Sequence, residues 1–298
     1  LKVQIPEKVS QKTEFLIPNN VMPSGYLLQR EELLHLVKYA NMAPSGGNVQ
    51  PWIWVFDKKG NLHLIHDQKR SYSLLDYKGT GSLIAFGSAL ENLRLTAASI
   101  NLEIEIIPQI KEFDEDLIAS IRFISKTDKP QKVPFEELFS GISVRNTNRK
   151  NTIRTLIGKN MMDQLQGFVK NTDFELEWVS ELSDLEQLAK IIGGMDRMRL
   201  FHEQGLSDFI NEVRWNEKEA FETKDGIDIA TLELSGVERA AMELLKDPRT
   251  VRFFRKFLMG YGLTKIAKET VTSASAMFLL SGKKFDPETY LNSGIILE

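Results

Sequence analysis

The chain has no cysteine, and that absence removes disulfides, thiol nucleophiles and zinc–thiolate centres together. Histidine is scarce as well, with four in 298 residues: His35, His63, His66 and His202. Only His63 and His66 are close in sequence, and three positions apart on a strand they point to opposite faces, so no shared metal is expected. No apolar run approaches the length of a membrane-spanning helix, and no charged-then-apolar leader opens the chain. A basic excess is also missing. Lys and Arg number 38 against 41 Asp and Glu, a formal charge of −3, which argues against a general nucleic-acid binder. The expectation is a cytoplasmic protein with neither a membrane nor a nucleic acid as partner. Leu1 in place of an initiator methionine suggests an upstream continuation.

What is present is ordinary globular material, 42% hydrophobic and 27% charged, over a length that suits one large or two modest domains. Residues 1–28, with Pro6, Pro18 and Pro23, show no sustained period and read as an arm or linker. A first half follows over 29–134. It opens with an amphipathic helix from Arg30 to Met42, whose apolar face is Leu33, Leu34, Val37 and Ala40. Strands are expected at Ile53 to Phe56 and Leu62 to His66, joined as a hairpin by a polar turn containing Gly60 and Asn61. A long apolar helix is expected from about Leu83 to Ile100, with further strands at Glu103 to Ile107 and Leu117 to Ile124. The charged, proline-bearing stretch from Lys126 to Pro134 reads as a connector.

The second half, 135–298, is expected to carry a helix at Met161 to Val169, a strand at Phe174 to Val179 and a helix at Leu185 to Ile192. A long, charged and aromatic helical insertion runs over 195–262. A strand at Ser273 to Leu280 and a helix from Tyr290 to Glu298 close the chain. Gly87-Ser-Ala-Leu-Glu91 and Gly294-Ile-Ile-Leu-Glu298 share one spacing near the start of an apolar helix in each half, which suggests an internal repeat. On that reading the second helix is cut short, so the chain is expected to be incomplete at its C-terminal end.

Two stretches carry chemistry. Ala43 to Trp52 (APSGGNVQPW) joins the first helix to the first strand. Pro44 ends the helix, Gly46 and Gly47 permit a tight turn with close backbone approach, and Ser45, Asn48 and Gln50 offer short polar groups. The same residues also suit a plain connecting loop. Ser143 to Lys150 (SVRNTNRK) sets Arg145 and Arg149 four residues apart. Arginine forks match phosphate oxygens, and Thr147 and Asn148 add groups that suit a ribityl or sugar chain. As a turn, the segment needs only to be solvated.

Together these stretches resemble the FMN-dependent nitroreductases. Ser45, Gly46, Asn48, Gln50, Pro51 and Trp52 are similar to the family's P-S-x-x-N-x-Q-P-W signature. Arg145, Thr147 and Arg149 are similar to its R-x-S-x-R motif, with threonine for serine. In that family the arginine motif comes first. Here the order is reversed and the motifs fall in different halves, which resembles the double-length branch in which one chain folds as a pseudo-dimer.

The resemblance implies an α+β fold of two nitroreductase-like halves, each a mostly antiparallel sheet packed with helices. It implies one FMN, with hydride passing from NAD(P)H through the flavin to a small-molecule acceptor, and 195–262 as a lid. Arg145 and Arg149 would hold the phosphate and Thr147 and Asn148 the phosphate or ribityl chain. Asn48 and Gln50 would bond the polar ring edge, and Ser45 and Gly46 would present backbone to it. No side chain is assigned as acid, base or nucleophile. Related sequences occur downstream of a ubiquitin-activating-type adenylating domain, which makes such a domain a candidate upstream partner. Rival readings are a protein that sequesters flavin without turnover and a flavin-free accessory domain.

Overall fold

A computed structural model describes residues 3–4, 17–18, 21–113, 115–127, 135–256 and 268–298. The described residues fall into two compact units. One draws on Leu1–Tyr72, Asp76–Asn146 and Gly282–Glu298, the other on Ser73–Leu75 and Thr147–Ser281.

The first unit is built on a five-stranded sheet of order β1-β2-β3-β5-β4, where β1 is Val3–Gln4, β2 Trp52–Phe56, β3 Leu62–His66, β4 Leu102–Pro108 and β5 Leu117–Lys126. Every pairing is antiparallel except β1 on β2, which is parallel. The hairpin expected from the sequence is present, with Trp54 opposite Leu64 and Phe56 opposite Leu62. Period-2 alternation places Trp52, Trp54, Leu62 and Leu64 in one buried cluster, and the Trp54 indole donates to Asn41 Oδ1 at 2.9 Å.

Helix α1, Arg30–Ala40, starts where Glu32 reaches back to the Gln29 N–H at 2.9 Å, and it buries Leu33, Leu36, Val37 and Ala40. Its buried face thus includes Leu36, while the expected Leu34 is only half-buried. Helix α2, Thr80–Ser99, is buried along nearly its whole length, as expected of a helix with apolar residues all round. Asp76 caps its start, accepting from the Gly81 N–H at 2.7 Å and the Ser82 hydroxyl at 2.6 Å. Helix α3, Phe135–Val144, was not foreseen. Consequently Ser143 and Val144 of the arginine stretch are the last residues of a helix.

Residues 21–28, read from sequence as arm, are fastened to this sheet. The Ser24 hydroxyl donates to Gly60 O and accepts from the Phe123 N–H, and the Tyr26 N–H donates to Phe123 O at 2.9 Å. Most of 1–20 and all of 128–134 lie outside the described residues, and with them most of the arm and connector.

The second unit holds α4, Lys159–Val169; β6, Phe174–Val179; and α5, Leu182–Phe201. Its further helices are α6, Glu203–Glu212; α7, Glu217–Thr223; α8, Gly236–Leu244; and α9, Pro248–Lys256. The helix expected to end at Ile192 continues to Phe201, into the 195–262 segment. That segment is also not uniformly helical. β7, Val213–Arg214, pairs in parallel with β8, Ile227–Asp228, because Arg214 is tied to Asp225 at 2.7 Å and Asn216 caps a new helix. Residues 257–262 of it are outside the described set.

The strand expected at Ser273 to Leu280 starts later. Residues 268–273 are helical, with Val271 buried against Leu185 and Ala189, and β9 spans Met277–Gly282 beside β6. A second cluster unites Leu200, Leu206, Met242, Leu245 and Val251, so Val251 of the basic, aromatic segment at 246–256 is a core residue.

The chain then returns to the first unit as α10, Pro287–Leu297, capped by Asp286 on the Thr289 N–H at 2.8 Å with proline in the first turn. It packs against α2 at a pair of glycines. A Cβ built on Gly87 would lie 2.0 Å from Leu291 O, and one built on Gly294 would lie 2.0 Å from Ile84 O. The contacts are reciprocal, each glycine facing the carbonyl three residues before the other, and the Ser88 hydroxyl donates to Gly294 O at 3.0 Å. These are the two glycines of the repeated Gly-x-x-x-Glu spacing, so α2 and α10 cross about a local two-fold relation.

Candidate functional site

The 43–52 loop holds an uncommon backbone. Ser45 is extended and opens a 3-10 turn over Gly46–Asn48. Gly47, Asn48 and Gln50 then take φ of 57°, 53° and 50°. Left-handed conformations at two non-glycine residues cost energy unless surrounding contacts impose them. Here the contacts are identifiable. The Ser45 hydroxyl accepts from the Gln50 N–H at 3.0 Å, and Asn48 N–H donates to Ser45 O at 2.9 Å. Arg70 Nε donates to Val49 O at 2.9 Å, and the Asp67 N–H donates to Pro51 O at 2.8 Å. Asn48 and Gly46 remain exposed on the loop, while Ser45 and Gln50 are half-buried. Gln50 Nε2 lies 3.4 Å from Asn48 Oδ1, which sets two of the expected ring-edge amides side by side.

Arg145 follows α3 directly, its N–H bonded to Gly141 O at 2.9 Å. Its Nη2 donates to Met42 O at 2.9 Å, three residues before Ser45. The structure therefore brings together five expected site residues: Ser45, Gly46, Asn48, Gln50 and Arg145. Thr147, Asn148 and Arg149 open the second unit and are exposed there. Arg149 Nη1 lies 3.3 Å from Thr231 Oγ1, and Asn148 Oδ1 accepts from the Lys150 N–H at 3.0 Å.

Behind Arg145, its Nε is 3.8 Å from Glu298 Oε1; the Glu298 side chain is 4% exposed and that of Arg145 37%. Arg145 Nη1 makes no hydrogen bond among the described residues, so this guanidinium is held along its Nε–Nη2 edge and keeps the Nη1 donors free. Arg70 and Glu298 were not named as site residues. Arg70 carries no signal in sequence, since its target is a main-chain carbonyl. Glu298 does carry one, as the last residue of the repeated glycine–glutamate spacing.

A second polar cluster has the residue types of a hydrolase but not the access. His63 Nδ1 is 2.9 Å from Ser120 Oγ and Nε2 is 3.0 Å from Asp57 Oδ2. His63 and Ser120 are fully buried, so no substrate reaches the hydroxyl. Asp57 also accepts from the Lys59 and Asn61 N–H groups at 2.8 Å each, which makes the cluster a clasp for the hairpin turn. Burial disfavours the Asp57 carboxylate, but the bonds from His63, Asn61 and Lys59 outweigh it and hold its pKa below the ordinary value. A carboxylate depressed in the folded state stabilises fully above its unfolded pKa, and that contribution disappears as pH falls through the lower folded value. Asp57→Asn should therefore cost roughly 1–2 kcal/mol at pH 7, measured by urea unfolding. The gap to wild type should close in acid; a gap independent of pH would contradict the clasp.

Among the described residues no group of three or more His, Asp or Glu side chains is placed to hold a metal ion. Among them, too, no helix is long and apolar enough to cross a membrane. No family model matches the chain. Its relatives include "Uncharacterized protein MT1398" of Mycobacterium tuberculosis (strain CDC 1551 / Oshkosh), 26% identical over 238 residues, or 80% of this chain and 32% of the relative. "Uncharacterized protein MT3212" of the same strain and "Uncharacterized protein Rv3127" of strain ATCC 25618 / H37Rv are each 32% identical over 96 residues, or 30% of this chain and 27% of the relative. The chain is thus similar to mycobacterial proteins of which it spans about a third or less.

Proposed function

We propose that the chain is an FMN-binding oxidoreductase of the nitroreductase type, passing hydride from NAD(P)H to a small-molecule acceptor. The observation that carries this reading is Arg145 bonded to Met42 O at the base of the 43–52 loop, because it unites residues about a hundred positions apart that the motifs alone could only list. The groups present suit the cofactor. A phosphate needs a cation with unspent donors, which Arg145 supplies. A flavin ring edge needs amides and backbone on a rigid loop, and Asn48, Gln50 and Gly46 sit on one whose left-handed residues are held by Ser45 and Arg70. The flavin, when bound, supplies the hydride chemistry; the chain's share is to orient it and neutralise its phosphate. Thr147, Asn148 and Arg149 follow in sequence, and their part in binding is proposed on the motif alone.

The reciprocal packing of Gly87 and Gly294 supports the pseudo-dimer part of the proposal, since a duplicated half meets its copy about a two-fold axis. An upstream adenylating domain remains a proposal from the resemblance. The test is an absorbance spectrum of the purified protein with and without added FMN, followed by anaerobic NADH or NADPH. Bound flavin that bleaches is the expected result. Bound flavin that stays oxidised with both donors would indicate sequestration, and a protein that takes up no FMN would end the flavin reading.

A further inference from the structure

The two glutamates of the repeated spacing have parted ways. Glu91, on α2, is closed off within its own helix, accepting from Arg94 Nε at 2.8 Å and from Nη2 at 2.5 Å. Glu298, its counterpart beyond α10, turns instead toward Arg145, a guanidinium from outside its helix. Burying a carboxylate is costly unless a partner compensates, and this one is almost wholly buried. At 3.8 Å the pair is an ion pair rather than a hydrogen bond, so it draws the guanidinium toward Glu298 while leaving the donors of Arg145 largely unspent. Next to Glu298 lies Asn92, fully buried and near enough to favour the Glu298 carboxylate, though among the described residues neither its Nδ2 nor its Oδ1 reaches hydrogen-bond geometry.

We propose that Glu298, with Asn92 beside it, is a positioning residue that aims the Arg145 guanidinium at an anionic phosphate bound over the 43–52 loop. The inference rests on the flavin reading above and assigns it a residue that the motif does not contain. Glu298 does not touch the phosphate; it draws on Nε while the Met42 carbonyl holds Nη2 of the same edge, which leaves Nη1 to the anion. Three groups face it: Arg145, Asn92 and Glu91. Burial raises its pKa above the ordinary carboxylate value, Arg145 and Asn92 act to lower it, and the Glu91 charge adds to the rise. Protonation in mild acid would release Arg145 from its anchor.

The experiment compares wild type, Glu298→Gln, Glu298→Asp and Arg145→Ala in the 298-residue chain, with FMN and riboflavin as probes and flavin fluorescence as readout. Glu298→Gln should weaken FMN binding about tenfold or more, the loss typical when a group that orients a ligand's partner is removed. Riboflavin, which lacks the phosphate, should bind it as it binds wild type. Glu298→Asp should recover part of the loss. As pH is lowered from 7 toward the ordinary carboxylate range, wild-type FMN affinity should fall more steeply than that of Glu298→Gln, since protonation of the phosphate itself affects both proteins alike. Equal or tighter FMN binding by Glu298→Gln, where Arg145→Ala has lost it, overturns this inference alone. So does an equal loss of riboflavin. A wild-type protein that binds neither probe overturns the flavin reading and this inference with it.

Discussion

Arg145→Ala is expected to weaken FMN binding by two orders of magnitude while leaving riboflavin binding and the fold in place. The guanidinium would make charge-assisted hydrogen bonds to the phosphate, each contributing about 1.5–3 kcal/mol. Losing about 3 kcal/mol corresponds to a factor of roughly 150. The fold should tolerate the change because the side chain is 37% exposed and its one side-chain hydrogen bond among the described residues, to Met42 O, is an exposed contact to a main-chain carbonyl. Glu298 is the complication, since removing Arg145 leaves a buried carboxylate without its cation. It answers by taking up a proton at higher pH rather than by unfolding the unit. Equilibrium titration with each flavin, alongside a thermal melt, separates these effects. Unchanged FMN affinity would remove the phosphate assignment, and equal losses for FMN and riboflavin would show that Arg145 shapes the loop rather than the ligand.

The second large effect concerns the fold that carries the site. Gly87→Ala should destabilise the first unit although alanine is the better helix former. Intrinsic propensity favours alanine over glycine by about 1 kcal/mol inside a helix. Against that, the new Cβ would stand 2.0 Å from Leu291 O, 2.8 Å from Ile295 N and 2.9 Å from Gly294 Cα. All three are backbone atoms, so no rotamer change relieves the clash, and α2 and α10 must move apart. Overpacking of this kind costs about 3 kcal/mol at the upper end of its usual range, and about 2 kcal/mol survives the propensity gain. Gly294→Ala should behave alike by the local two-fold relation. The double variant should cost less than the sum, because one separation of the helices accommodates both methyl groups. Urea unfolding monitored by far-ultraviolet circular dichroism measures this on the whole chain. A rise in stability would mean that the helices do not meet at these glycines.

Both predictions depend on α10, because Glu298 stands at its end and Gly294 one turn before it. A weakened crossing should therefore also loosen the ion pair behind Arg145. Gly87→Ala is expected to lower FMN affinity although Gly87 touches no site residue.

Much of this protein was readable before any coordinates. The hairpin, α1, α2, β4, β5 and β6 depend on period-2 or period-3.6 patterns, on Pro44 as a helix stop and on Gly60 and Asn61 as a turn, each a signal local to its own element. The loop motif and the arginine stretch were visible for the same reason, and so was the repeated glycine–glutamate spacing. Local signals failed where the deciding partner was remote. Helix α3 follows Pro134 and sets Leu138, Phe139 and Ile142 at helical spacing, but its ten residues between a connector and the arginine stretch are too few for the period to stand out. The strand expected from Ser273 begins only at Met277, and residues 268–273 are helical although Val271 and the threonines around it favour extended backbone. Burial of Val271 against Leu185 and Ala189 outweighs that preference.

Residue types, spacing and charge thus settled which groups are available: amides on a glycine-bearing loop, an arginine pair, no thiols and no histidine cluster. Only the tertiary structure decided which of them meet. Met42 and Arg145 are 103 residues apart in sequence, and Glu298 reaches Arg145 only because two glycines let α10 lie directly on α2. A side chain's neighbours along the chain follow from backbone period, but its partners across the molecule depend on how closely backbones approach. That closeness was set here by the absence of two methyl groups.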